Sequence, residues 1–255
     1  MILSVPGERA IQASVHDFFF NDKNDRCMKM LSIQPNLAEQ VLEAILVEIA
    51  TGKLTPGTRI IQEQLAAGLG VSRQPVQQAL LLLRNQGLLR DAPGRGLIVA
   101  PLDPAYINQM YEVRAVLEGL AFRKAAELNS KVAATKGAAL IDKGREAVKS
   151  GKVRDLINAD KAFHQFVYGL SDNPLISPTM DTYWTYTQRV MGEVLMRNEK
   201  PRDVWDQHEI MLNAIASGNA IEAEAQARQH IMTTAAFIIE RIGADFLDSK
   251  ATSLS

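Results

Sequence analysis

The sequence predicts a mainly α-helical protein: an N-terminal winged helix-turn-helix of three helices and a small β-hairpin wing, followed by an antiparallel all-α helical bundle. Three observations predict it. Between residues 36 and 101, short stretches of helical periodicity alternate with glycine breaks and close on a hairpin with a Gly-rich tip. Pro101 and Pro104 then mark a linker. Beyond Pro104 helical periodicity recurs to the end of the chain, and no strand pattern intrudes.

The elements follow in order. Residues 1–35 mix Pro6, Gly7, a Phe18-Phe19-Phe20 cluster and a polar run from Asn21 to Arg26 without a sustained period. They read as a flexible N-terminal arm, or as a stretch upstream of a true start at Met28 or Met30. Asn36 is a candidate cap for a helix that carries Val41, Leu42, Ile45 and Ile49 at helical spacing. Gly52 ends it, and Pro56-Gly57 forms a turn. A short helix from about Ile61 to Gly68 is broken by Gly70. Ser72 caps the next one, where Pro75 sits in the first turn without losing a hydrogen bond. Val76, Ala79, Leu80 and Leu83 form its inner face. Leu88-Leu89 and Leu97-Ile98-Val99 read as two strands around Asp91 to Gly96. Six helices follow, at about 104–129, 131–150, 153–171, 174–197, 202–217 and 219–242, and 246–255 reads as a tail. The predicted parts are thus an arm (1–35), a winged helix (36–101), a helical domain (102–245) and a tail (246–255).

The bulk properties exclude several classes. With 255 residues, 47% of them hydrophobic, the chain can build one large domain or two modest ones. The net charge of −1 leaves any basic footprint local. Cys27 is the lone cysteine, so no intramolecular disulfide can form, which fits a reducing, cytoplasmic setting. No run of 18 apolar residues is present to span a membrane, and the first residues lack the pattern of a secretory signal.

Two constellations carry chemistry. The first is the polar face of the helix after Gly70. Arg73, Gln77 and Arg84 project within about 40° of one another at 100° per residue, away from the inner stripe. Arg can grip guanine through two acceptors and Gln can do the same to adenine, so the face suits a major groove. Ser72 and Gln74 flank Arg73 at the same helix start. Arg59 is placed to meet a phosphate, and Arg95 with Gly96 stands at the wing tip, where glycine lets the backbone approach a groove. Residues 36–101 hold six basic against five acidic side chains, a net +1. So weak a charge predicts a homodimer reading two half-sites of a pseudo-palindromic double-stranded operator. The alternative is a winged helix used for protein contacts alone.

The second constellation lies in the helical part. Three of the four histidines fall on three separate helices there: His164, His208 and His230. His164 stands one turn after Asp160 on a stripe with Leu156, Phe163 and Val167. His208 keeps register with Val204, Met211 and Ile215, and His230 with Ala223, Ala227 and Thr234. One carboxylate and three imidazoles thus point inward. A shared divalent cation would remove the cost of burying them, zinc foremost, with nickel, manganese or iron as alternatives. Otherwise each histidine is separately hydrogen-bonded in the core and Asp160 pairs with one of them. His-Glu-x-x-His is absent and no Ser/His or Cys/His nucleophile suggests itself, which argues against an enzyme.

The stretches Gly52–Gly57, Glu63–Ala66, Gly70–Val76, Ala79-Leu80, Gly87–Leu89 and Gly94–Gly96 resemble the GntR family of bacterial transcription regulators. That resemblance implies that Arg73 contacts DNA. A second arginine is usual four residues later, where this sequence has Gln77. Tyr111–Glu118, Asp160–His164, His208–Ile215 and Ala225–His230 resemble the FCD branch of that family, in its metal-binding form. Carried over, the metal ligands are Asp160, His164, His208 and His230. The branch implies dimeric repressors or activators that respond to small organic acids. Arg114 occupies its arginine position, either pairing with an effector carboxylate or bridging to Glu118 one turn away. The expected function is a transcription regulator whose operator affinity is set by a small carboxylate metabolite at a metal site.

Overall fold

The computed structural model describes residues 37–196 and 204–252. The predicted arm, the Asn36 cap, Cys27 and His16 lie outside the described residues.

The winged part opens with α1 (Leu37–Ala50), whose buried face is Ala38, Val41, Ile45 and Ile49, one residue per turn. β1 (Arg59–Ile60), α2 (Gln62–Leu69) and α3 (Arg73–Asn85) follow, then β2 (Leu89–Asp91) and β3 (Leu97–Val99). The turn between α2 and α3 depends on Gly70. Its φ of 67° is left-handed, and its N–H closes α2 on the carbonyls of Ala66 and Ala67. Ser72 stands at the N-cap of α3, but its hydroxyl makes no capping bond; its extended backbone alone turns the chain into the helix.

The sheet has three strands rather than the predicted two, in the order β1-β3-β2, all antiparallel. Arg59 faces Ile98 across one ladder, and Arg90 faces Ile98 across the other. β1 is two residues long, too short to show an alternation in sequence. At the wing tip Gly94 and Gly96 both take φ above 90°, which an L side chain rarely adopts.

The link to the bundle is buried: Ala100 and Leu102 both lie in the interior. Asp103 caps α4 (Pro104–Lys136) by accepting from the Ala105 N–H at 2.9 Å. The bundle continues with α5 (Ala138–Ser150), α6 (Val153–Leu170), α7 (Ile176–Met196), α8 (Val204–Ala216) and α9 (Ala220–Thr252). α4 is central and packs on α6, α7, α8 and most extensively α9. The predicted break at Asn129-Ser130 is a kink inside α4. Asn129 leaves helical geometry (φ −135°, ψ 30°) and donates from its side chain to the Leu170 carbonyl at 2.8 Å. The helix resumes and ends only at Lys136. α9 runs to Thr252, ten residues past its predicted end and through much of the segment read as a tail. Among the described residues, no helix is long and apolar enough to cross a membrane.

Two large cores result. One joins Val41, Ile45, Val76, Leu83 and Val99 of the winged part to Tyr111, Tyr186, Val190, Ile231 and Ile238 of the bundle. The other gathers Phe122, Phe163, Trp184, Trp205 and Met211 within the bundle. The buried polar residues lie at their seam. On α9, His230 falls between Ala227 of the second core and Ile231 of the first; on α4, Glu118 falls between Ala115 of the first and Phe122 of the second.

Candidate functional site

The three bundle histidines converge. One ring nitrogen from each of His164 (α6), His208 (α8) and His230 (α9) lies within 4.8 Å of the others, and all three residues are buried. Asp160, one turn before His164, places its Oδ1 3.5 Å from His208 Nε2 and 3.9 Å from His164 Nε2. Ligands sharing a tetrahedral ion at about 2.1 Å stand about 3.4 Å apart; the Asp160–His208 pair meets that spacing, and the other groups would have to draw in to share a cation. The three imidazoles form one cluster, and Asp160 adjoins two of them.

The second ring nitrogens show how each imidazole is oriented. His230 Nδ1–H donates to Gln207 Oε1 at 2.8 Å, which turns Nε2 inward. His164 Nδ1 lies 2.6 Å from Glu118 Oε2, which likewise frees Nε2. His208 is stacked on Phe163 at 4.4 Å and edge-on to Trp205 at 4.7 Å. Neither of its ring nitrogens has a hydrogen-bond partner although both are buried. A hydrogen bond therefore accounts for His230 and the adjoining Glu118 carboxylate for His164, but neither kind of partner accounts for the ring nitrogens of His208 within hydrogen-bond geometry. An orphaned imidazole aimed at two others and a carboxylate is what a cation would satisfy.

The electrostatics divide the three rings: burial alone would lower the His164 imidazole, but the Glu118 carboxylate outweighs it and raises it above its ordinary range, whereas the other two are lowered. Burial pushes the His208 imidazole well below its ordinary range, with His230 and His164 adding repulsion. Burial and then His164 lower His230 to about 3. Both rings are held neutral, the form that ligates metal. Burial raises the Asp160 carboxyl, since a charge there lacks water.

Arg114 does two things. Its Nε and Nη2 donate to Glu118 Oε1 at 3.0 and 2.7 Å, so the bridge one turn along α4 is made. Its Nη1 donates to Thr187 Oγ1 on α7 at 3.1 Å, and the residue also lines a cavity of about 430 Å³ shared with Asp160, His164 and His230. Burial alone would raise the Glu118 carboxyl, but His164 and Arg114 more than offset it and hold it at about 2. A continuous chain thus runs Thr187–Arg114–Glu118–His164. In the sequence Glu118 is marked only as a possible partner of Arg114, although its place on the inner stripe of α4 is a usable signal. Gln207 could have been noticed as the neighbour of His208, whereas nothing in the sequence marked Thr187.

The DNA-facing candidates are all on the surface. Ser72, Arg73, Gln74 and Gln77 are exposed on the first turns of α3, with Pro75 and Val76 buried beneath them. Arg73 pairs with Glu63 of α2 at 3.5 Å, both side chains more than half exposed. Arg84 stands about 16 Å further along α3 at 1.5 Å per residue. It pairs with Asp91 of the wing at 3.5 Å. Arg59 of β1 donates to the Arg95 carbonyl and so braces the wing tip, leaving the Arg95 side chain and Gly96 exposed.

This architecture has known counterparts. A model of the gntR family of bacterial regulatory proteins matches residues 37–99, and a model of the FCD domain matches residues 109–233. An uncharacterized HTH-type transcriptional regulator in an unstable DNA locus of Streptomyces ambofaciens is 31% identical over 184 residues, 72% of this chain and 77% of the relative. This chain belongs to the GntR family. This GntR regulator is also 28% identical over 149 residues to the HTH-type transcriptional regulator McbR of Escherichia coli K12, across 58% of this chain and 67% of McbR. The solved structure of E. coli McbR/YncC shares its fold, with a TM-score of 0.69 at 23% identity over 83% of this chain and 99% of that one. A GntR structure from Rhodococcus sp. RHA1 does so with a TM-score of 0.66 at 22% identity, over 80% and 97%. The GntR chain is therefore a DNA-binding transcription regulator with an FCD effector-binding domain, and its relatives are regulators rather than enzymes.

Proposed function

We propose that this regulator acts as a cytoplasmic homodimer on a pseudo-palindromic operator, and that a small organic acid bound at a metal centre in the FCD domain sets its DNA affinity. The working division is a winged reader over 36–101 and a sensing domain over 102–245. The observation that carries the reading is the convergence of three buried imidazoles from three helices onto one point beside Asp160. Asp160, His164, His208 and His230 would hold a divalent ion, zinc by preference for this donor set, with nickel, manganese or iron possible by the same chemistry. A bound ion would supply a positive anchor for one carboxylate. The cavity that borders Asp160, His164 and His230 favours a sensing role over a closed structural one.

On the DNA side, α3 presents Arg73, Gln74 and Gln77 from its first turns, the end that enters a major groove in this type of module. Ser72 sits beside them at the N-cap. The Arg73–Glu63 and Arg84–Asp91 pairs are exposed and worth little, so a phosphate or base edge readily replaces them. Arg59 and Arg95 with Gly96 supply the wing contact. The test is a mobility-shift titration on an operator selected from a random duplex pool, at fixed salt. Arg73→Ala is expected to weaken binding by about 1–3 kcal/mol. Unchanged affinity would remove α3 as the reading helix.

A further inference from the structure

The outermost side chains of α3 carry no charge. At 100° per residue, Gln74, Gln78 and Leu81 project within about 60° of one another, opposite the buried Val76, Ala79 and Leu83. Gln77 stands beside them, on the edge that it shares with Arg73 and Arg84. All three glutamines are exposed, and no described residue takes up the Gln77 amide. Leu81 is 51% exposed and lies one turn beyond Gln77 on the same side of the helix. From Gln74 to Leu81 the helix rises about 10 Å, about three base-pair steps. The start of this face is held in place from α2, where Gln62 Nε2 donates to the Arg73 carbonyl at 2.9 Å. Across residues 73–80, the first two turns, Arg73 is the only cation.

We infer that this face selects A·T base pairs: Gln77 and Gln74 take adenines, Leu81 covers a thymine methyl, and Arg73 adds a single guanine contact. This assignment rests on α3 as the groove helix and deepens that reading by naming the base pairs. A glutamine amide carries a donor and an acceptor side by side. Adenine shows the matching pair in the major groove, an acceptor at N7 and a donor at N6. Guanine shows two acceptors there, so the amide carbonyl would face a second acceptor. Leucine offers no hydrogen bond to any base, and thymine alone presents a methyl for it to cover. The cytosine amino group set against Leu81 would lose its water without gaining a partner. Only the Arg73 guanidinium, on the first two turns, matches the two acceptors of guanine.

The test is selection from a random duplex pool by the full-length chain at fixed salt, with sequencing of the bound fraction. It is run in parallel on Gln77→Ala, Gln77→Arg, Leu81→Asn and Arg73→Ala. All four side chains are exposed, so each variant should melt as the parent does. The parent is expected to enrich half-sites in which one guanine stands beside adenines and thymines. Gln77→Ala should relax one adenine position per half-site by roughly 5- to 150-fold and leave the guanine in place. Gln77→Arg should convert that same position to guanine, and Leu81→Asn should relax a neighbouring thymine. A parent preference for guanine or cytosine at the position that depends on Gln77, or a profile that Gln77→Ala or Leu81→Asn leaves unaltered, overturns the A·T assignment while α3 stands as the reader. An Arg73→Ala variant that enriches the parent's half-site as strongly as the parent does overturns the reading helix itself.

Discussion

Glu118 shows how a single carboxylate can hold a site together without being a ligand. It is fully buried and anchors a guanidinium on one oxygen and an imidazole on the other. Its removal should be read in two ways. Glu118→Gln keeps the shape and an acceptor for Arg114 but loses the charge that orients His164. Zinc affinity, read by chelator competition, is expected to fall about 10- to 100-fold while the fold persists. Glu118→Leu instead leaves Arg114 buried and unpaired, and denaturant unfolding should show a loss of about 3–5 kcal/mol. If Glu118→Gln retains full zinc affinity, the carboxylate serves only Arg114. At this scale the sequence was most legible where polarity and periodicity conflict: Asp160, His164, His208 and His230 stood out because each sits on an apolar stripe. It was least legible for Gln207 and Thr187, ordinary polar residues whose importance lies only in what faces them across helices.

Among the elements, α7 carries the clearest structural consequence. Its Trp184, Thr187 and Met191 face the histidine region, while Tyr186, Arg189 and Val190 face the winged part. Arg189 is buried, and its guanidinium donates to the carbonyls of Ala100 and Leu88, which begin and end the paired wing strands. Gly192 lets α7 approach α1 so closely that an added Cβ would lie 3.2 Å from the Ala50 carbonyl. Arg189→Met fills similar volume but leaves both carbonyls without this donor, at a cost of about 1–3 kcal/mol. Hydrogen exchange is expected to speed up at Val99 and Ala100 with little change at Phe163. Equal protection in variant and parent would show that α7 does not brace the wing. This linkage is not legible in the sequence, where Arg189 is one more charge on a helix. The helix count and the wing were legible from period and glycine placement. The errors fell where tertiary contact overrides local signals: Asn129 bends α4 instead of ending it because Leu170 takes its amide, and β1 exists only because β3 lies beside it.

Across the whole molecule, the first core runs unbroken from the winged part into the bundle. Leu83, Leu88 and Val99 of the winged part share that core with Tyr111, Tyr186 and Ile238 of the bundle, and the joining residues Ala100 and Leu102 are buried too. Surfaces so merged expose a large apolar area if one part unfolds alone, at about 25 cal/mol for every Å². The described residues are therefore expected to unfold in one cooperative step. The chain is well suited to the measurement, because its two tryptophans, Trp184 and Trp205, both lie in the bundle core. Their fluorescence reports the bundle, while protection of the Leu83 and Val99 amides reports the winged part. Both probes should give the same denaturant midpoint. Zinc at a hundred times its dissociation constant is expected to add about 2.7 kcal/mol and to move both probes together, although the histidines lie only in the bundle. A midpoint that shifts for the tryptophans while the winged-part amides stay fixed would mean that the shared core does not transmit stability. Ligand binding in the bundle would then have no energetic route to the DNA-reading face through it.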